Sequence, residues 1–359
     1  MRKSCAKASL VLVFVACGWH APDSRARVQE QTAAPRLPQE ITAEDAKALE
    51  EGLKANPDNR AAREKLITYY FRANLMSRAP GLEERREQHI FWLIEHHPDS
   101  ELAGSPEAGI QPVGLSGSTE GYQHGKQLWL QQVETHPENL RVLCNAAAFV
   151  SLWDSKVGRE LLEKALILDP SDARASSMLA QSYMLERLHA KSPEEKRTLA
   201  LKALSIRERG LEKASHEERF YALGDIAADA FEAGDLTKAE QYASELLQSA
   251  QDKKNWNYGN AVHKGHILLG RIALQRGDIS SAKEHLLAAG ETPGSPQLNS
   301  FGPNMTLAKE LLEKGERDAV LTYLQSCLKF WKMGGDKLQS WVTTVKGGGI
   351  PDFGGNLLY

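Results

Sequence analysis

Much of the usual vocabulary of catalysis is missing from this chain. There is no glycine-rich phosphate loop and no dinucleotide fingerprint in its 359 residues. Gly114-Leu115-Ser116-Gly117-Ser118 has a nucleophile-elbow outline, but its fifth residue is serine and no strand precedes it. His263 and His266 are three apart on a predicted helix, with no cysteine or carboxylate at ligand spacing beside them, so a solvated helix face is expected there rather than a metal site. His96 and His97 precede Pro98, where a cation is favourable at a helix C-terminus without further purpose. The carboxylate pairs Glu194-Glu195 and Glu217-Glu218 fall on polar faces or turns. No catalytic, cofactor-binding or metal-binding residue is expected from these patterns.

Basic excess is also lacking, with 44 Lys and Arg against 47 Asp and Glu. No basic stripe is interleaved with aromatics, so nucleic acid is not an expected partner. Long apolar runs are absent too. The run Ala8 to Ala16, behind Arg2, Lys3 and Lys7, is too short to span a membrane and reads as an export signal over 1–17. Phe14-Val15-Ala16-Cys17 resembles a bacterial lipobox, with Phe14 where leucine is usual. The resemblance implies acylation of Cys17 and a membrane anchor; cleavage after Gly18, giving a periplasmic or secreted protein, is the alternative. Residues 18–41, with Pro22, Pro35 and Pro38, read as a flexible tether. Without the signal, 41 basic residues face 47 acidic ones, a formal charge of minus six. Of four cysteines, only Cys144 and Cys327 lie beyond residue 17, several elements apart, so two buried thiols and no disulfide are expected.

What the chain does contain is a repeated frame. Gly234-Asp235, Gly277-Asp278 and Gly315-Glu316 each follow a small residue seven positions earlier, Ala227, Gly270 or Ala308, and precede Ala239, Ala282 or Val320 by five. The flanks have helical period: Ile226/Ala227/Ala230, Leu269/Gly270/Ala273 and Leu307/Ala308/Leu311 before the glycine, then Ala239/Ala243/Leu246, Ala282/Leu286/Ala289 and Val320/Leu324/Cys327 after it. Each copy predicts two helices joined by a tight turn, in which the glycine stops the first helix and the acid caps the second. Glu316 is the poorer cap, so the third copy is expected to fray more. This frame resembles the tetratricopeptide repeat, which implies an all-α, right-handed superhelical solenoid of about seven helix pairs, here spanning 42–333.

Toward the N-terminus the glycine turn is lost, and Pro57, Pro98, Pro137 and Pro170 mark the ends of second helices at intervals of 41, 39 and 33. Lys191 to Glu195 extend one turn. Residues 103–121 are too rich in Gly, Pro and Ser for a stable helix; they are read either as a disordered insertion or as a loop across a binding groove, with a first helix missing. Residues 334–359 form a C-terminal cap or a glycine-rich tail, with Leu338, Trp341 and Val342 at helical spacing.

The family resemblance implies a protein-interaction scaffold of the cell envelope, holding a partner peptide or helix in a concave groove lined by first helices. Candidate groove residues are Tyr70, Asn145, Gln181, Asp225, Asp229 and Arg271, with Trp256, Tyr258 and Asn260 at the edge or, for Trp256, in the core. The complete basic set that clamps a C-terminal carboxylate in that family is lacking. A solute-binding lipoprotein for a glycan or peptide, using 103–121, and an envelope enzyme are the alternatives.

Overall fold

The computed structural model describes residues 41–77, 79–112 and 119–358. The export signal with Cys17, nearly all of the tether, and Gly114 to Ser118 lie outside the described residues. Within them, regular structure is helical with no strand, in sixteen α-helices. They are α1 (Ala43–Ala55), α2 (Arg60–Ser77), α3 (Leu82–His96), α4 (Thr119–Thr135), α5 (Leu140–Val150), α6 (Ser155–Leu168), α7 (Ala173–His189), α8 (Pro193–Gly210), α9 (His216–Glu232), α10 (Leu236–Ser249), α11 (Tyr258–Gln275), α12 (Ile279–Gly290), α13 (Pro296–Phe301), α14 (Thr306–Glu313), α15 (Arg317–Cys327) and α16 (Gly335–Lys346). Helices adjacent in sequence pack as neighbouring pairs. None of the described helices is long and apolar enough to cross a membrane.

Two local joints build this arrangement. In the first, Gly234, Gly277 and Gly315 take φ of 79°, 82° and 87°, a left-handed conformation that costs residues with a Cβ about 1 kcal/mol or more. The N–H groups of Asp235, Asp278 and Glu316 then donate back to Ala230 O, Ala273 O and Leu311 O at 2.9, 2.9 and 3.0 Å, completing the same Schellman closure three times. The closing residue also opens the next helix. Asp235 accepts from Lys238 N at 3.0 Å and Asp278 from Ser281 N at 3.0 Å. Glu316 makes no such cap and instead accepts from Lys283 Nζ at 2.9 Å.

The second joint is a proline turn. Asn59, Ser100, Asn139 and Asp172 donate their N–H to Asn56 O, His97 O, His136 O and Asp169 O, at 3.3, 3.0, 3.1 and 3.1 Å. Pro57, Pro98, Pro137 and Pro170 occupy the second position of these turns, where their fixed φ fits and no donor is needed. The fourth turn residue then caps the next helical turn, accepting from Ala62, Ala103, Val142 and Ala175 N at 3.1, 3.1, 3.2 and 2.6 Å.

After Pro98 the joint forms normally, yet the helix it starts lasts a single 3-10 turn, Leu102–Gly104. Gly104-Ser105-Pro106 then breaks it, because proline cannot donate to the preceding turn, and a second 3-10 turn comes next at Pro106–Ala108. Ala103, Ala108 and Ile110 are nevertheless core residues. Arg86 of α3, fully buried, holds the segment: its Nη1 donates to Glu107 O at 2.5 Å and its Nη2 to Gly109 O at 3.0 Å, with Glu83 balancing the charge at 2.6 Å. Residues 103–112 therefore stand in for the missing first helix, and 119–121 are already part of α4.

The repeated frame is buried almost throughout, including Ala227, Ala239, Ala243, Ala282, Leu286, Ala308, Val320 and Leu324. In α11 the core face is turned by one residue: Leu268 and Ile272 are buried where Leu269 and Ala273 are half-buried. That helix serves two neighbouring cores at once, Leu268 and Ile272 in one and Ile267 in the next. At the C-terminal end Leu338, Trp341 and Val345 of α16 are buried, and Phe353 packs edge-on to Trp341 at 5.0 Å. Asn356 ties this tail down, accepting from Met305 N at 2.8 Å and donating to Pro303 O at 2.9 Å. Cys144 and Cys327 are free and buried; burial pushes the Cys144 thiol up to about 11 and raises that of Cys327 as well.

Candidate binding face

The polar residues that converge in this structure lie on α7, α8, α9, α11 and α14. On α9, Asp225, Asp229 and Glu232 succeed one another at helical spacing and so share a side. Lys264 of α11 donates to Asp225. Arg207 of α8 donates to Asp229 at 3.0 Å and lies 3.6 Å from Asp225, while Arg187 of α7 reaches Asp229 at 3.1 Å. Arg271 of α11 spans two hairpins, at 3.3 Å from Glu232 and 2.9 Å from Glu310 of α14, with its guanidinium 4.2 Å over the Phe231 ring.

The two aspartates respond oppositely to this environment. Burial works against ionisation of Asp225, but the Lys264 and Arg207 charges outweigh it and hold the carboxyl well below the usual range. At Asp229, which is almost fully buried, desolvation prevails over the pull of Arg207 and Arg187 and raises it. The face is thus a ladder of internal ion pairs. It offers shape, hydrogen-bonding edges and the aliphatic stems of long side chains, with its charges already matched within the chain.

Of the six groove candidates, the structure brings Asp225, Asp229 and Arg271 into this ladder. Gln181 is half-buried on α7, the helix that supplies Arg187. Tyr70 lies elsewhere, buried on α2, where it donates to Glu50 at 2.7 Å and stacks on His89; burial and the Glu50 contact push it up to about 12. Asn145 is fully buried in α5 and donates to Pro98 O and Ser100 O, both at 2.8 Å, clasping a proline joint.

Sequence reasoning missed Arg187, Arg207, Lys264, Glu232 and Glu310. A signal for three of these contacts was present: Asp225 to Lys264, Glu232 to Arg271 and Arg271 to Glu310 are all separated by 39 residues, so opposite charges recur at a constant offset. The histidines also depart from expectation. His263 is buried, with Nε2 at 3.0 Å from Tyr323 Oη, and His266 is half-buried, with Nδ1 at 3.0 Å from His285 Nδ1; neither forms a solvated face, because α11 is flanked by helices on both sides. Among the described residues no group of three or more His, Cys, Asp or Glu is arranged to hold a metal. Trp256 is 43% exposed and stacks on Tyr221 at 5.6 Å. Asn260 donates to Asn257 and Gln297 at 3.0 and 2.6 Å.

Compared with known proteins, the chain matches no family model and no curated protein.

Proposed function

We propose that this chain is a tetratricopeptide-like right-handed solenoid, exported and lipid-anchored through Cys17, that serves as a protein-interaction scaffold in the cell envelope. The partner, an extended peptide or an amphipathic helix, lies along the first helices of successive hairpins. The observation that carries this reading is the ion-pair ladder at a 39-residue offset, which ties α9, α11 and α14 side by side. Recurrent glycine and proline joints add to it, since repeats that meet at constant angles generate an extended surface. Because the ladder's charges are internally matched, recognition rests on shape and polar edges rather than on capture of a charged terminus.

The test is site-specific photo-crosslinking in the native cells, with the probe at Gln181 or Tyr221 on first helices and at Lys164 or Gln241 on second helices. A common partner crosslinked from the first-helix sites alone is the expected result; equal yield from both sets would overturn the reading. Repeating the experiment with Cys17→Ala asks whether capture depends on anchoring. The exposed Trp256 stacked on Tyr221 favours a second reading, a glycan platform, which saturable oligosaccharide binding lost in Trp256→Ala would support.

A further inference from the structure

Consecutive helices pack as neighbours through short connections, so the turns from first to second helices fall on one edge of the hairpins and the proline joints on the other. Side-chain contacts string the N-terminal part of the first edge together. Ile41 and Leu82 pack against the same small cluster, and Asn74, near the end of α2, donates to Glu83 at the start of α3 at 3.0 Å. A Cβ built on Gly121 of α4 would collide with the Glu87 carboxylate. Lys126 of α4 donates to Asp154 in the turn between α5 and α6, and Arg159 of α6 lies 3.0 Å from Glu186 in the last turn of α7.

This stretch of edge exposes large apolar side chains: Leu75 and Met76 at the end of α2, Leu152 and Trp153 in the turn after α5, and Leu188 at the end of α7. The three glycine joints that continue the edge expose none. Glu83, Asp154 and Glu186 are matched by Arg86, Lys126 and Arg159. Glu84 and Glu120 stay exposed, as do Arg85 and Lys191, so apolar contact rather than charge would drive docking here.

Apolar side chains are exposed at the proline edge too, Ile167 and Met333 among them. The first edge differs in being the one by which the chain enters. The described residues begin at Ile41, and α1 runs from that edge to the joint at Pro57. Cys17 lies 24 positions before Ile41, a reach of about 80 Å at full extension. A bilayer holding acyl chains on Cys17 would therefore stay close to this edge. An apolar contact too weak to hold by itself persists at the effective concentration that such a link imposes. Leucine, methionine and an amphipathic tryptophan suit the boundary between headgroups and acyl chains.

We infer that the edge carrying Leu75, Met76, Leu152, Trp153 and Leu188 docks on the bilayer that holds the anchor, so that the proline joints point away from the membrane. The inference rests on the proposed lipid anchoring.

A photo-crosslinking residue placed in the full chain, in membranes of the native cells, tests it by the phospholipid mass added to the labelled peptide. The docking sites are Met76 and Leu152, 85% and 62% exposed; the comparison sites are Ile167 and Met333, comparably exposed at 78% and 74%. Several-fold more lipid adduct at Met76 and Leu152 is the expected result. Equal lipid adduct from both pairs, or adducts to protein instead of lipid at Met76 and Leu152, would overturn the inference. The mass of the N-terminal peptide reports the anchor separately. Acylated Cys17 without lipid adducts at the edge sinks the docking alone, whereas an unmodified Cys17 without such adducts sinks both readings. Edge adducts with an unmodified Cys17 would keep the docking and reject the anchor.

Discussion

Arg86 shows how a single side chain substitutes for an absent helix. Its guanidinium is fully buried, and its planar fork reaches Glu83 together with two carbonyls of the segment that replaces regular structure after Pro98. Arg86→Met would leave Glu83 without its cation and two carbonyls without donors, a change that costs on the order of 3–5 kcal/mol. Arg86→Lys should recover little of this, since an ammonium lacks the rigid fork. Urea titration of both variants checks the claim, and a loss within experimental error in Arg86→Met would contradict the clamp. None of this was legible in the sequence, where Arg86 sits in the charged run Glu83-Glu84-Arg85-Arg86-Glu87 and its carbonyl partners lie 21 and 23 residues away. The caps Asp235 and Asp278 were legible because their partners are three residues off. The matched charges of the ion-pair ladder fall between these cases, readable only once a 39-residue offset is sought.

At the scale of elements, the glycine joints make a graded set of expectations. Nothing lies within 4 Å of a Cβ built on Gly277 or Gly315, so Gly277→Ala meets no steric obstacle and its cost, about 1–2 kcal/mol, is the left-handed backbone alone. Asp278→Ala removes the cap to Ser281 N and should cost about 1 kcal/mol. Glu316→Ala removes only a partly exposed pair with Lys283, worth under about 1 kcal/mol. Thermal unfolding of the three single variants should rank them in that order; Glu316→Ala as the most damaging would reject the assigned roles. Gly270 differs in kind, because its Cβ would collide with Leu307 and approach Ala282 O at 3.3 Å, so Gly270→Leu should cost roughly 1–3 kcal/mol by overpacking. Joints were readable from sequence because glycine, proline and cap act locally. The one-residue turn of α11 and the buried course of 103–112 were not, since both answer to helices distant in the chain.

For the molecule as a whole, burial falls into clusters that succeed one another along the chain, one from Ile67 to Ile206, one from Ala200 to Ile272 and one from Ile267 to Phe353. Stability in such an arrangement is close to a sum over neighbours, and each end must be covered. The last cluster is covered by residues 335–358: Trp341 packs on Trp331 and Phe353, and Asn356 bridges to the backbone around Phe301 and Met305. Removing everything after Gly334 would strip Leu338, Trp341, Val345 and Phe353 from that core and expose the apolar side of α15, including Val320 and Leu324, both fully buried in the intact chain. The truncated chain is expected to bind a hydrophobic dye and to self-associate in sedimentation, because an exposed apolar face seeks another. Phe353→Ala, which keeps α16 but opens its packing, should cost about 3–5 kcal/mol without self-association. In both variants α5 and α6, separated from the lesion by the middle cluster, should keep their wild-type hydrogen-exchange protection. Loss of protection there would mean that the clusters unfold as one unit, and the additive account of this chain would fail.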